Sequence, residues 1–138
     1  MPTMWLSPVG RSSDTMLCMI PRESVRRSQI LKGVLDICLL AVVSGSPAYG
    51  YEMTRRLAAQ GLDLVGESSI YPALARLERH GFVETFRRPS NDGPTRKYYR
   101  VTEDGATALL RWREEWRCMR TAVDGVLDET HEELVDAD

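Results

Sequence analysis

With 138 residues, 43% of them apolar and 28% charged, the chain has the make-up of one globular domain plus an arm or tail, which excludes collagen-like and wholly disordered classes. Its longest apolar run, residues 37–43, is far shorter than the ~20 residues of a bilayer helix, and the first residues hold no apolar stretch long enough for a secretory signal. The net charge of −2 hides a division: residues 1–101 carry 14 basic and 9 acidic side chains, residues 102–138 only 4 basic against 11 acidic. A basic body suits an anionic partner such as nucleic acid, although two ordinary solvated faces would give the same balance.

Residues 1–27 show no periodicity and mix Pro2, Pro8, Gly10 and Pro21 with several serines, so a largely disordered arm is expected. Met4, Met16 and Met19 leave open whether this arm belongs to the natural protein. Arg22, Arg26 and Arg27 at its end either brush a phosphate backbone or stay solvated. Ser28 can cap a helix starting near Gln29. From Ile30 to Val43 almost every residue is apolar except Lys32, Gly33 and Asp36, which places this helix in the middle of a core. Gly45-Ser46-Pro47 ends it.

A second helix is predicted from Gly50 to Gln60, with Met53, Leu57 and Ala58 inward, and Gly61 stops it. A third runs from Ser68 to His80. Ile70, Leu74 and Leu77 form its buried stripe, and Ser69, Pro72, Arg76 and Arg79 lie opposite. Pro72 is expected near the first turn, where a missing N–H costs little; an earlier helix start would make it a bend. Residues 82–86 read as a strand, 87–94 as a basic turn, and 96–101 as the returning strand. Alternation sends one of Tyr98 and Tyr99 inward and leaves the other able to reach a phosphate. Thr102 should cap a last helix reaching Leu127, followed by an acidic tail or frayed end over residues 128–138.

The order of three helices, a hairpin and a further helix matches a winged helix-turn-helix, in which the third helix enters the major groove and the hairpin lies along the backbone or minor groove. The fold class is therefore mainly α with a small β-hairpin (α+β). Ser68, Ser69, Tyr71, Pro72, Arg76 and Arg79 are the candidate groove-facing residues. Arg96, Lys97 and Tyr99 are the candidate wing contacts. On the last helix, Leu109, Trp112, Trp116, Met119, Val123 and Val126 recur at spacings of three and four, an a/d seam. Either the seam packs on its own body or a second copy of the chain covers it; the second reading makes the protein a homodimer and its target pseudo-palindromic.

The segment Leu31 to Val126, about 70% of the chain, resembles the PadR family of bacterial transcriptional regulators. The resemblance is carried by Leu31-Lys32-Gly33-Val34-Leu35-Asp36, by Tyr49-Gly50-Tyr51-Glu52, and by Ile70-Tyr71-Pro72-Ala73-Leu74 with Arg76-Leu77-Glu78 and Gly81. Most specific is the string Gly93-Pro94-Thr95-Arg96-Lys97-Tyr98-Tyr99-Arg100-Val101-Thr102-Glu103-Asp104-Gly105. The resemblance implies a homodimer joined through the last helix, sequence-specific binding of double-stranded DNA and repression. It also implies DNA contacts around Tyr71, Pro72 and Arg76 and at the Arg96-Lys97 wing. A single C-terminal helix fits the short subfamily. Some relatives hold flat aromatic compounds at a tryptophan on the last helix; Trp116 matches that position and Trp112 lies one turn earlier, so a planar aromatic effector or simple dimer core are the two readings there.

The resulting layout is an arm (1–27), a winged helix-turn-helix (28–101), a dimerisation helix (102–127) and an acidic tail (128–138). An enzyme is not expected, since the chain has two histidines, His80 and His131, and no Gly-rich phosphate loop after a strand. Three widely spaced cysteines, Cys18, Cys38 and Cys118, favour neither disulfides nor a metal site; no cofactor is expected, and a reducing cytoplasm fits. The alternative function is a winged helix that binds a protein partner without touching DNA.

Overall fold

A computed structural model describes residues 25–63 and 65–136. Its elements are α1 (Val25–Gly45), β1 (Ala48–Tyr49), α2 (Gly50–Ala59), α3 (Glu67–Arg79), β2 (Val83–Ser90), β3 (Gly93–Val101) and α4 (Glu103–Asp136). The fold is mainly helical, with one antiparallel sheet of order β1-β3-β2, the winged helix expected from the sequence. Of the arm expected over residues 1–27, residues 1–24 lie outside the described residues, while residues 25–27 belong to the first turn of α1 and not to an arm.

Four boundaries differ from the sequence reading. The first helix begins at Val25, so Ser28 lies inside it rather than capping it; nothing between Pro21 and Gly33 interrupts a helix. The last helix continues to Asp136, so the acidic stretch after Leu127 is helical and not a tail as far as the description reaches. The hairpin turn shrinks to Asn91 and Asp92, because Arg87 and Arg88 pair with Lys97 and Arg96 as strand residues. The register shifts between Arg88 and Ser90, at Pro89, a residue without an N–H to give to a ladder. Finally, Ala48 and Tyr49 add a short strand against Tyr99 and Tyr98.

The core joins every element. Leu39, Leu40 and Val43 of α1 meet Met53 and Leu57 of α2, Ile70, Leu74 and Leu77 of α3, Val83 and Tyr99 of the sheet, and Ala108 and Leu109 of α4. Ala58, expected inward, is exposed, since the buried stripe of α2 runs through Gly50, Met53 and Leu57. Two helices end in the same way. Gly61 (φ +98°) follows α2 and Gly81 (φ +77°) follows α3, and in each case the next residue, Leu62 or Phe82, donates its N–H back to Leu57 or Leu77 at 2.9 Å. This paired closure requires the left-handed backbone that glycine adopts without strain.

At the start of α4, the Gly105 N–H donates to Thr102 Oγ1 at 3.0 Å, as a cap should, and Thr102 Oγ1 donates to the Gly81 carbonyl at 2.6 Å. The Thr102 N–H donates to the Phe82 carbonyl at 3.0 Å. The same residue therefore fastens α4 to the turn between α3 and the wing.

Candidate nucleic-acid interface

Helix α3 turns Ile70, Ala73, Leu74 and Leu77 into the core and leaves Ser68, Ser69, Tyr71, Pro72, Arg76 and Arg79 exposed. Its stripe of large apolar residues therefore fixes which face is presented. Pro72 stands at the sixth position of the helix, in the second turn and not the first, because α3 begins at Glu67. The Ser68 carbonyl consequently lacks the usual i+4 N–H partner within the helix.

Tyr71 is less free than its position suggested. Its hydroxyl donates to Glu67 Oε1 at 3.0 Å. A Cβ built on Gly50 would stand only 2.6 Å from that hydroxyl, so the tip of the Tyr71 ring lies against α2 where residue 50 has no side chain. Burial, and then the hydrogen bond to and charge of Glu67, push the phenol above its ordinary pKa.

Arg76 is committed elsewhere. Its Nε donates to Asp36 Oδ2 at 3.1 Å and its Nη2 to Asp36 Oδ1 at 2.7 Å, a two-pronged bridge from α3 to α1. The guanidinium expected to face a groove is held by the one acid within the apolar stretch of α1. Arg79 makes no ion pair among the described residues and is the open cation of this face. His80 closes the helix: its Nδ1 lies 2.7 Å from the Arg76 carbonyl, and its ring stacks on Phe82.

The wing presents two faces. Val83, Thr85 and Arg87 pair with Val101, Tyr99 and Lys97 on one side; Glu84, Phe86 and Arg88 pair with Arg100, Tyr98 and Arg96 on the other. Tyr99, named above as a wing contact, is only 5% exposed and belongs to the core. Tyr98 is the outward tyrosine, because Val83 and Tyr99 set the inner face. Arg100 pairs with Glu84 at 2.7 Å. The four remaining wing cations stand as two like-charged cross-strand pairs, Arg87 with Lys97 and Arg88 with Arg96. Like charges placed opposite each other repel, and no carboxylate neutralises these four among the described residues.

The seam on α4 divides. Leu109 is 4% exposed and packs on its own body; Trp112 is half-buried, with its ring edge-on to Phe82 at 5.5 Å, and keeps part of its surface open. Trp116, Met119, Val123 and Val126 remain 41%, 60%, 46% and 63% exposed. An open groove of about 880 Å³ runs between α1, α3 and α4, with Trp112, Trp116 and Met119 on one wall and Asp36 and Glu115 among its polar edges. The sequence reading assigns no site role to Asp36, Tyr49 and Gly50, which it meets only inside motifs, and meets Arg88 only as part of a basic turn. Asp36 carries the clearest signal of a partner, as a lone charge in an apolar run.

An exposed helix beside a basic wing on a three-helix core defines a winged-helix protein. The model of the PadR-like family of transcriptional regulators matches residues 39–111, and the chain belongs to that family. Among solved structures it resembles a PadR-like transcriptional regulator from Bacillus cereus at 38% identity, covering 72% of this chain and 96% of that one with a TM-score of 0.65. It also resembles a Streptococcus transcriptional regulator at 35% identity over 71% and 96% of the two chains, with a TM-score of 0.63. A protein of Lysinibacillus sphaericus called "Uncharacterized protein X" is 30% identical over 71% of this chain and 92% of its own. The family consists of transcriptional regulators and not enzymes. Among the described residues no helix is long and apolar enough to cross a membrane.

Proposed function

We propose that the protein is a cytoplasmic, homodimeric repressor that binds a pseudo-palindromic site in duplex DNA and leaves it when a planar aromatic effector binds. The observation that carries the DNA reading is the wing: one repelling cross-strand pair of cations on each of its two faces, beside an exposed helix face with the hydroxyls of Ser68 and Ser69 and the guanidinium of Arg79. Cations on both sides of a projecting hairpin suit a wing set among the phosphates of a polyanion.

The dimer reading is supported by α4. At 34 residues the helix is ~50 Å long, and its apolar stripe continues past the part that Leu109 and Trp112 seat on the body. A second α4 is the cover that this spacing fits. The effector reading rests on the groove, which Trp112, Trp116 and Met119 line with apolar surface and where Asp36 is already neutralised by Arg76, a setting suited to a flat aromatic compound.

The test is binding of the full chain to a labelled duplex from upstream of its own coding region. The expected dissociation constant is about 10 nM or tighter at physiological salt. With roughly four phosphates held per protomer, log Kd should change with log salt at a slope of about 7. Arg79→Ala and Lys97→Ala should each weaken binding. Absence of binding, or binding indifferent to salt and to both substitutions, would favour a winged helix that docks on protein. Planar aromatic compounds should quench the tryptophan fluorescence of the parent protein and lose that effect on Trp116→Ala, read on protein that is still dimeric; no quenching by any such compound in the parent protein refutes the effector.

A further inference from the structure

We propose that Tyr49 is a positioning residue for the wing, racking Arg96, and through neighbouring rings Arg88, so that the two guanidiniums grip one phosphate of duplex DNA. The proposal rests on the DNA-binding reading above. Tyr49 ends β1, far in sequence from the hairpin. The Arg96 guanidinium carbon nevertheless lies 4.5 Å from the Tyr49 ring centroid, and its Nη1 donates to the Tyr49 hydroxyl at 2.9 Å. A face contact and a hydrogen bond to one side chain fix both the position and the direction of the guanidinium.

The rack continues across the sheet. Tyr98 sits edge-on to Tyr49 at 5.3 Å and stacks on Phe86 at 5.5 Å. Arg88 lies 4.6 Å over Tyr98 and 5.3 Å over Phe86. Arg88 and Arg96 are direct cross-strand partners on the face of these three rings; Arg100 also lies over Phe86, at 4.7 Å, but is neutralised by Glu84. Neither Arg88 nor Arg96 is paired with a carboxylate among the described residues. Two ordered guanidiniums without a counter-charge are an arrangement made for one anion. The ordering entropy of long side chains, which weakens most exposed ion pairs, is already incurred before the phosphate arrives.

The test uses the full chain and a labelled duplex of mixed sequence, since phosphate contacts need no particular bases. Tyr49→Phe keeps the ring and removes the hydroxyl; it should weaken binding about threefold. Tyr49→Leu removes the ring as well and should weaken binding about tenfold, with a salt slope lower by ~1 for each wing that lets go of its phosphate. In an Arg96→Ala background, Tyr49→Phe should have no further effect. A purely structural role would lower the melting temperature and leave the salt slope unchanged, so the slope separates the two. Equal affinity and slope for Tyr49→Phe, Tyr49→Leu and the parent, or an undiminished Tyr49→Phe effect without Arg96, overturns the positioning role alone. A parent protein that binds no duplex in a salt-dependent way overturns the DNA reading itself.

Discussion

Two glycines on α4 separate conformational preference from steric demand. Alanine is favoured over glycine in a helix interior by ~0.8–1 kcal/mol. At Gly125 a new Cβ would meet nothing within 4 Å, and the position lies off the apolar stripe, so Gly125→Ala should gain most of that amount. At Gly105 the same Cβ would overlap the Phe82 carbonyl oxygen and stand 2.9 Å from both the Phe82 carbonyl carbon and Val101 Cγ2. The obstacle is backbone, and that carbonyl also accepts the Thr102 N–H at 3.0 Å. Overpacking of this kind costs ~1–3 kcal/mol, and a strained or lost hydrogen bond adds ~1 kcal/mol. Set against the helical gain, Gly105→Ala should lose about 1–3 kcal/mol. At roughly 4 °C per kcal/mol for a chain of this size, the melting temperature should fall ~4–12 °C, against a rise of ~2–4 °C for Gly125→Ala. Thermal melts followed by circular dichroism at matched protein concentration read both. Similar shifts for the two variants, or a Gly105→Ala protein as stable as the parent, would refute the close approach of α4 to the wing's root.

Further outcomes follow from the ion pair and the thiols. If Arg76 and Asp36 act on each other, the melting-temperature losses of Asp36→Ala and Arg76→Ala should sum to more than the loss in the double variant; strict additivity would mean that the bridge contributes nothing. Burial raises the Cys38 thiol above its ordinary pKa, whereas Cys118 is exposed, so a thiol reagent at pH 8 should label Cys118 well before Cys38, as read by peptide mapping. A raised pKa means that the native chain holds this proton more tightly than the unfolded one. The stability from Cys38 is then fully present below about pH 8.5 and lost as pH climbs through the native value, a decline that Cys38→Ala should lack.

How far the sequence could be read depends on the range of the interactions concerned. The buried stripe of α3 and the capping by Thr102 are local patterns, visible in spacing and residue type. The tyrosine pair shows where locality ends. Alternation requires one of Tyr98 and Tyr99 to face inward, but only pairing with Ala48 and packing beside Val83 decide that it is Tyr99. The strand Ala48–Tyr49 has no period of its own; it exists because β3 offers an edge. Arg76 reads from the sequence as a free cation of the helix face, because its partner Asp36 lies 40 residues away on another helix. The seam was visible as a spacing, yet the point where it leaves the body, between Trp112 and Trp116, depends on where Phe82 stands.

Hydroxyl-radical footprinting of the full chain on the duplex upstream of its own coding region addresses the central claim most directly. Two copies joined along α4 should protect two similar patches whose centres lie about one helical turn, 10–10.5 base pairs, or a multiple of it apart. Arg96→Ala should fade the flanking backbone protection of both patches together. A single unpaired patch, or no protection where the protein is in excess, would contradict the account.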